Sequence, residues 1–307
     1  MDQLTAVVTG AYGFLGRHIA RLLAQRGFRV VGLGHGEWCQ PEWESWGLRE
    51  WHQGDVNLQT LALISGSPHV IIHCAGSGSV AFSVQNPLED FSRTVVTTAN
   101  VLEYIRLHAP ACRIIYPSSA SVYGTVEVLP IREDARVAPI SPYGNHKLMS
   151  EQLIASHARQ FGTPSAIVRL FSVYGPDLRK QLLWDACSKL SRGEIVFMGT
   201  GREERDWLHV EDAARLMLAA VDHATMQCPV VNGGYGEGVT VRDIVTSLSL
   251  YLLEQPSEPV FSGAQRMGDP SRYVADIVAA KAWGWRPEHG WRQGVEEYAL
   301  WWKTVAR

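Results

Sequence analysis

The 307-residue chain reads as an α/β fold, a doubly wound parallel sheet with a smaller C-terminal lobe. Three observations predict it. Short β-branched runs alternate with helical patterns over the first half. A glycine-rich turn separates the first run from the first helix. The alternation turns irregular after about residue 172.

The runs read as strands in order. They are Leu4 to Thr9, Arg29 to Leu33, His69 to His73, Arg113 to Tyr116 and Ala166 to Leu170. Continuous apolar strands joined by helices imply a parallel sheet covered on both faces. Right-handed crossovers make the doubly wound topology the economical one. Residues 1–172 are expected to form a dinucleotide-binding domain. A segment near 205–235 is expected to return to it, with a possible strand at Val230 to Asn232. Residues 173–307 are expected to form mainly the substrate lobe. Helices are expected over Leu178 to Arg192 and Val241 to Leu253, and a short strand at Pro259 to Phe261.

Composition excludes several classes. Hydrophobic residues make up 46% and charged residues 19%, enough to bury a core and too ordered a balance for a disordered chain. A net charge of -3 gives no basic excess for nucleic acid. No apolar run reaches the ~18 residues of a membrane span. The opening MDQLTAVVTG does not resemble a signal peptide. Five scattered cysteines without a C-x-x-C pair argue against disulfides or a metal site and for a reducing compartment. A cytoplasmic protein is expected. Eleven tryptophans are unusual, and four of them (Trp38, Trp43, Trp46, Trp51) crowd one stretch.

The turn Thr9-Gly10-Ala11-Tyr12-Gly13-Phe14-Leu15-Gly16 carries glycines at 10, 13 and 16. Glycine there permits a tight turn and close approach of backbone to a pyrophosphate. The following helix offers free N–H groups and a positive dipole end. Gly10, Tyr12, Gly13, Phe14, Leu15 and Gly16 are therefore candidate cofactor contacts. A carboxylate after the second strand would bond the adenosine ribose and select NAD. The strand ends instead Leu33-Gly34-His35-Gly36. This favours NADP over NAD, with His35 near the 2′-phosphate. Asp55 and Val56, in Gly54-Asp55-Val56, are candidates for the adenine end. Ala75 follows the third strand at the ligand-binding edge, whereas His73 and Cys74 read as core.

The most specific signal is Ser141-Pro142-Tyr143-Gly144-Asn145-His146-Lys147. Pro142 suits a helix start, and Tyr143 and Lys147, at i and i+4, share a face. A nearby cation stabilises a phenolate and lowers a tyrosine pKa from about 10 toward working pH. Such a tyrosine can exchange a proton with a sugar oxygen. Upstream, Pro117-Ser118-Ser119-Ala120-Ser121-Val122-Tyr123-Gly124 puts hydroxyls at a strand end, where one can orient a substrate oxygen.

Together these motifs resemble the extended short-chain dehydrogenase/reductases, and among them the nucleotide-sugar epimerases, dehydratases and ketoreductases. TGAYGFLG, GDV, SSASVYG, SPYGNHK, RLFSVYGP, RDWLHVED and RMGDP carry the resemblance across nearly the whole chain. It implies a Rossmann-type fold and a catalytic set of Ser119, Tyr143 and Lys147. It implies Arg205 and Arg266 as ligands of a nucleotide diphosphate, and a homodimer built on Thr94 to Leu107 and Tyr143 to Arg159. Departures narrow the subclass. Ala120 and Ser121 replace the Asp and Glu of dehydratases. The fucose-synthase type has a cysteine near the site and a histidine after YGP. This chain has no such cysteine, and Asp177 stands after YGP. Ser172 and Thr94 replace two family asparagines, and Ser172 is kept as a substrate contact. What remains is hydride transfer at C4 of a nucleotide-linked hexose. The missing ribose carboxylate leans the reading to a 4-ketoreductase. A 4-epimerase is the alternative, and an inactive cofactor-binding regulator a remote one.

Overall fold

The computed structural model describes residues 3–64, 66–264 and 272–306. The first strands along the chain are β1 (Thr5–Thr9), β2 (Arg29–Gly34), β3 (Glu50–Gln53), β4 (Val70–His73), β5 (Arg113–Ser119) and β6 (Ser165–Leu170). There follow β7 (Ser172–Tyr174), β8 (Val196–Phe197), β9 (Glu204–His209), β10 (Val230–Gly233), β11 (Gly238–Thr240), β12 (Val260–Phe261) and β13 (Arg272–Tyr273).

Seven of these make one sheet in the order β10-β6-β5-β4-β1-β2-β3. Every pairing in it is parallel. The order reverses between β1 and β4, the switch point at which such sheets open a ligand crevice. The fold is the Rossmann-type α/β arrangement the strand pattern predicts. Alternate side chains of each strand feed two cores. Ala6, Val8, Val30, Val70 and Ile72 pack with Ile19 and Leu23 on one face. Val7, Val31, Ile71 and Ile114 pack with Val101, Ile105 and Ile154 on the other. Burying both faces is why these strands lack a polar alternation.

β3 goes beyond the sequence expectation. Its residues, Glu-Trp-His-Gln, are polar apart from Trp51, and none is buried, because it closes the edge of the sheet beside β2. β5 runs three residues past the expected end, through Pro117 to Ser119. A proline removes a ladder N–H, which hides such a strand from pattern reading. β10 adds to the sheet at the other edge, where a returning strand was expected.

The expected helix from Thr94 is corrected in its first turn. Residues Ser92–Val96 form a π-turn before the α-helix Thr97–His108. Such single π-turns inside α-helices are rare and occur often at functional sites. The Thr94 carbonyl accepts the Thr97 N–H and also the hydroxyls of Thr98 at 2.7 Å, Thr97 at 3.3 Å and Ser150 at 3.4 Å.

The later chain builds a second cluster. β9 lies among β7, β11 and β13, and β8 pairs with β12. The helices Gln181–Leu190, Val241–Leu252 and Trp291–Val305 enclose Tyr174, Leu183, Trp207, Ile244, Leu248, Trp291 and Tyr298. Trp207 is buried, and its indole N–H donates to the Val239 carbonyl at 3.2 Å. Trp184 packs against Trp301 and Trp302. Among the described residues, no helix is long and apolar enough to cross a membrane.

Candidate active site

The glycine turn lies at the carboxyl edge of β1. Gly10 takes φ 70°, and a Cβ there would meet the Ala75 nitrogen and the Cys74 carbonyl carbon at 2.8 Å. Glycine therefore lets the β1 turn touch the β4 turn. Gly13 caps the Phe14–Gln25 helix without any side-chain cap, so Phe14, Leu15 and Gly16 present open N–H groups. A phosphate-bearing cofactor fits this cradle, since a helix start with unmet donors and no side chain in the way is an anion site. Ala75 N donates to Thr9 Oγ1 at 3.2 Å, locking the two turns together.

The aromatic cluster walls the same edge. Trp38 is buried edge-on against Tyr12 and against Trp51, with ring centroids 5.4 and 5.3 Å apart. The Arg17 guanidinium lies 5.3 to 5.5 Å from the rings of Tyr12, Trp38 and Trp46, and donates to the Tyr12 carbonyl at 2.6 Å. His35 and Asp55, both largely exposed, face each other at 3.0 Å across the ends of β2 and β3. Val56 is buried behind them.

The Pro142–Phe161 helix starts on a full set of stop-and-go signals. Ser141 accepts the Gly144 N–H at 3.1 Å, Pro142 fills the first turn, and Gly162 ends the helix at φ 71°. These are the caps such a helix requires. A Cβ on Gly144 would lie 2.6 Å from the Ser121 carbonyl oxygen. The glycine thus lets the helix start press against the strand end that carries Ser119. Ser119 Oγ accepts the Ser121 N–H at 3.2 Å and lies 3.1 Å from the Ser121 hydroxyl.

Lys147 is buried, and its Nζ donates to the Pro117 carbonyl at 2.9 Å. It also stands 4.7 Å from the Tyr116 ring centroid and 5.9 Å from that of Tyr143. The helix thus carries Tyr143 and the lysine near one another, with the lysine tied to the strand of Ser119. The Tyr143 N–H is held by Ser83 Oγ at 3.0 Å. Such a group can position a hydroxyl, exchange its proton and keep a cation beside the phenol.

A second layer escaped sequence reading. Buried Glu151 takes hydrogen bonds from Ser118 Oγ at 2.5 Å and from Arg169, which grips it through Nε and Nη2. Arg169 also reaches the Tyr123 hydroxyl at 3.1 Å, and that hydroxyl donates to Asn232 at 2.7 Å. No local pattern marks this chain, because its members come from three strands, a helix and the turn after β5. His73 is fully buried between Thr9 and Thr98, at 2.7 and 3.2 Å. Burial, with the Lys147 charge adding to it, pulls its imidazole down to about 3, so it is neutral packing.

Ser172 lies half-buried at the start of β7. Arg205 lies on β9, with Nη1 donating to the Glu204 carbonyl at 2.9 Å. Arg266, with the rest of RMGDP, lies outside the described residues.

The family model described as "NAD dependent epimerase/dehydratase family" matches residues 6–232. A UDP-glucose 4-epimerase of Azospirillum brasilense is 31% identical over 98% of this chain and 94% of its own. The structure of a Thermotoga maritima UDP-glucose 4-epimerase with UDP-glucose superposes with a TM-score of 0.86 at 25% identity, over 99% of this chain and 100% of that one. MoeE5 in complex with UDP-glucose and NAD gives 0.88 at 28% identity, over 99% and 100%. The chain belongs to the NAD-dependent epimerase/dehydratase family.

Proposed function

We propose that the protein is a nucleotide-sugar 4-epimerase. The carrying observation is the Tyr143–Lys147 helix face held against the Ser119 strand end through the Lys147–Pro117 bond. The 31% identical relative, itself a UDP-glucose 4-epimerase, favours epimerisation over the ketoreductase reading of the sequence. Ser119 orients the C4 oxygen of the sugar. Tyr143 takes the proton from that oxygen and later returns it. Lys147 keeps a positive charge beside the phenol. The dinucleotide, when bound, supplies the hydride acceptor and donor. Arg205 and Arg266 are assigned to the sugar nucleotide's diphosphate, since forked donors grip phosphate oxygens. Ser172 is assigned to the sugar.

The cofactor assignment follows the notch between β2 and β3. β2 ends Gly34-His35 without a carboxylate of its own, which supports acceptance of NADP as well as NAD, while the Asp55 carboxylate 3.0 Å from His35 favours NAD. Tyr12, Asp55, Val56 and Ala75 are assigned to the same cofactor. Equal or tighter binding of NADP in a fluorescence titration supports this; a preference for NAD of more than about tenfold, about 1.4 kcal/mol, counts against it.

A homodimer is proposed on the apolar face of the Pro142–Phe161 helix. Met149, Leu153 and Phe161 are exposed on it, and Val96 and Leu107 are exposed along the other expected helix. A monomeric mass by light scattering rules it out.

The direct test uses UDP-glucose and UDP-glucuronate with product analysis. Turnover of either without net change in nicotinamide absorbance supports epimerisation. Stoichiometric consumption of NADPH on a 4-keto sugar, with no epimerisation, supports the ketoreductase instead.

A further inference from the structure

The first turn of the Pro142–Phe161 helix is held on both flanks of Tyr143. At 3.6 residues per turn, Lys147 lies about 40° round the helix from Tyr143 on one side and His146 about 60° on the other. The Lys147 flank is tied to the strand of Ser119 through the Pro117 carbonyl. The His146 flank is tied to a different part of the fold. His146 Nδ1 lies 2.5 Å from Asp90 Oδ2, and a carboxylate accepts only, so the imidazole donates. Asp90 sits on the helix Pro87–Phe91, which shares Asn86 as a cap with the preceding helix Val80–Gln85. That preceding helix carries Ser83, whose Oγ holds the Tyr143 N–H at 3.0 Å, a donor that the helix itself leaves open.

Asp90 has no exposed surface, and His146 is buried with its ring T-shaped against Phe91. The second carboxylate oxygen, Asp90 Oδ1, is also buried and meets no donor among the described residues. His146 is thus the one group there that meets the carboxylate. Burying a carboxylate is costly, and this single bond offsets it. The same burial keeps water from competing for the bond, which makes the tie stiff.

We propose that His146 is a positioning residue for proton transfer by Tyr143, holding the helix against roll through its bond to Asp90. The assignment rests on the 4-epimerase reading. With one flank released, the first turn is free to roll toward the flank still tied. At the outer radius of a helix, roughly 5–6 Å, a roll of about 10° moves a side-chain end about 1 Å. A misplacement of that size costs about 10²-fold in rate. The loss falls on kcat, since the diphosphate and cofactor-phosphate contacts assigned above lie on other elements.

The test is a double-mutant cycle on the full-length protein, with kcat and KM measured on UDP-glucose and UDP-glucuronate. His146→Leu lowers kcat about 10- to 100-fold and moves KM by less than about threefold. His146→Asn keeps an N–H donor near the Nδ1 position and recovers most of the rate. Asp90→Asn/His146→Leu leaves no carboxylate stranded, and it shows the same fall in kcat where His146→Leu does not fold. In the Tyr143→Phe background, His146→Leu lowers the residual rate by less than about threefold, because the hydroxyl it positions is already gone. Three outcomes overturn the proposal while wild-type epimerisation upholds the reading beneath it. They are full activity in His146→Leu, a loss in KM alone, and an equal fractional loss with and without the Tyr143 hydroxyl. Turnover of neither sugar by wild type overturns the epimerase reading, and the proposal with it.

Discussion

Lys147 Nζ and the Pro117 carbonyl lie 2.9 Å apart. That one bond joins the helix of Tyr143 to the strand of Ser119. It also uses the carbonyl of the residue that interrupts the strand pattern. Replacing Lys147 by Met removes both the tie and the cation. Turnover should fall about 10²- to 10⁴-fold, the usual range for a proton-transfer group. Steady-state assays with the epimerisation substrate measure it, and Lys147→Arg should recover little because the forked head cannot take the same single bond.

Gly10 tests the cofactor cradle. Gly10→Ala forces a Cβ against the Cys74–Ala75 backbone and keeps a left-handed φ. The strain alone costs roughly 1–3 kcal/mol. We expect a lower melting temperature and loss of detectable dinucleotide binding by fluorescence. Binding at wild-type strength would remove the β1 turn from the cofactor site.

Glu151 tests the layer under the strand end. It is nearly inaccessible and paired with Arg169. Removing one partner of a buried pair costs about 3–5 kcal/mol, because the other charge is stranded. Glu151→Ala should unfold at markedly lower denaturant concentration than wild type. A midpoint unchanged within error contradicts the buried network.

His73 supplies a pH signature. Its folded pKa lies near 3 against 6.5 for the free side chain. The unfolded chain therefore binds the extra proton between these values, and stability rises with pH across that window. The contribution is fully present above pH 6.5. It is lost on acidification toward pH 3 at about 1.4 kcal/mol per pH unit. Unfolding free energies of wild type and His73→Gln, compared from pH 7 to 4, should diverge in slope by that amount. Parallel profiles contradict a buried neutral His73.

These residues also show what a sequence makes legible. The glycine turn, the Tyr143–Lys147 spacing and the apolar strands are local, and each is fixed by neighbours within a few positions. The ion pair of Glu151 with Arg169 joins a helix to a strand 18 residues later, and no short spacing encodes it. β3 was hidden because an edge strand needs no apolar run. The π-turn was hidden because Ser92–Val96 carries no residue pattern distinct from the α-helix that follows it. The helix expected over Leu178 to Arg192 begins later, at Gln181, because Asp177 and Gln181 take left-handed backbone that no local pattern marks.

The most direct test of the account is epimerisation by Tyr143→Phe, which keeps the ring and removes the hydroxyl. Tyr143→Phe should fold normally, keep dinucleotide binding and turn over about 10²- to 10⁴-fold more slowly. Wild-type turnover of the nucleotide sugar by the variant would contradict it.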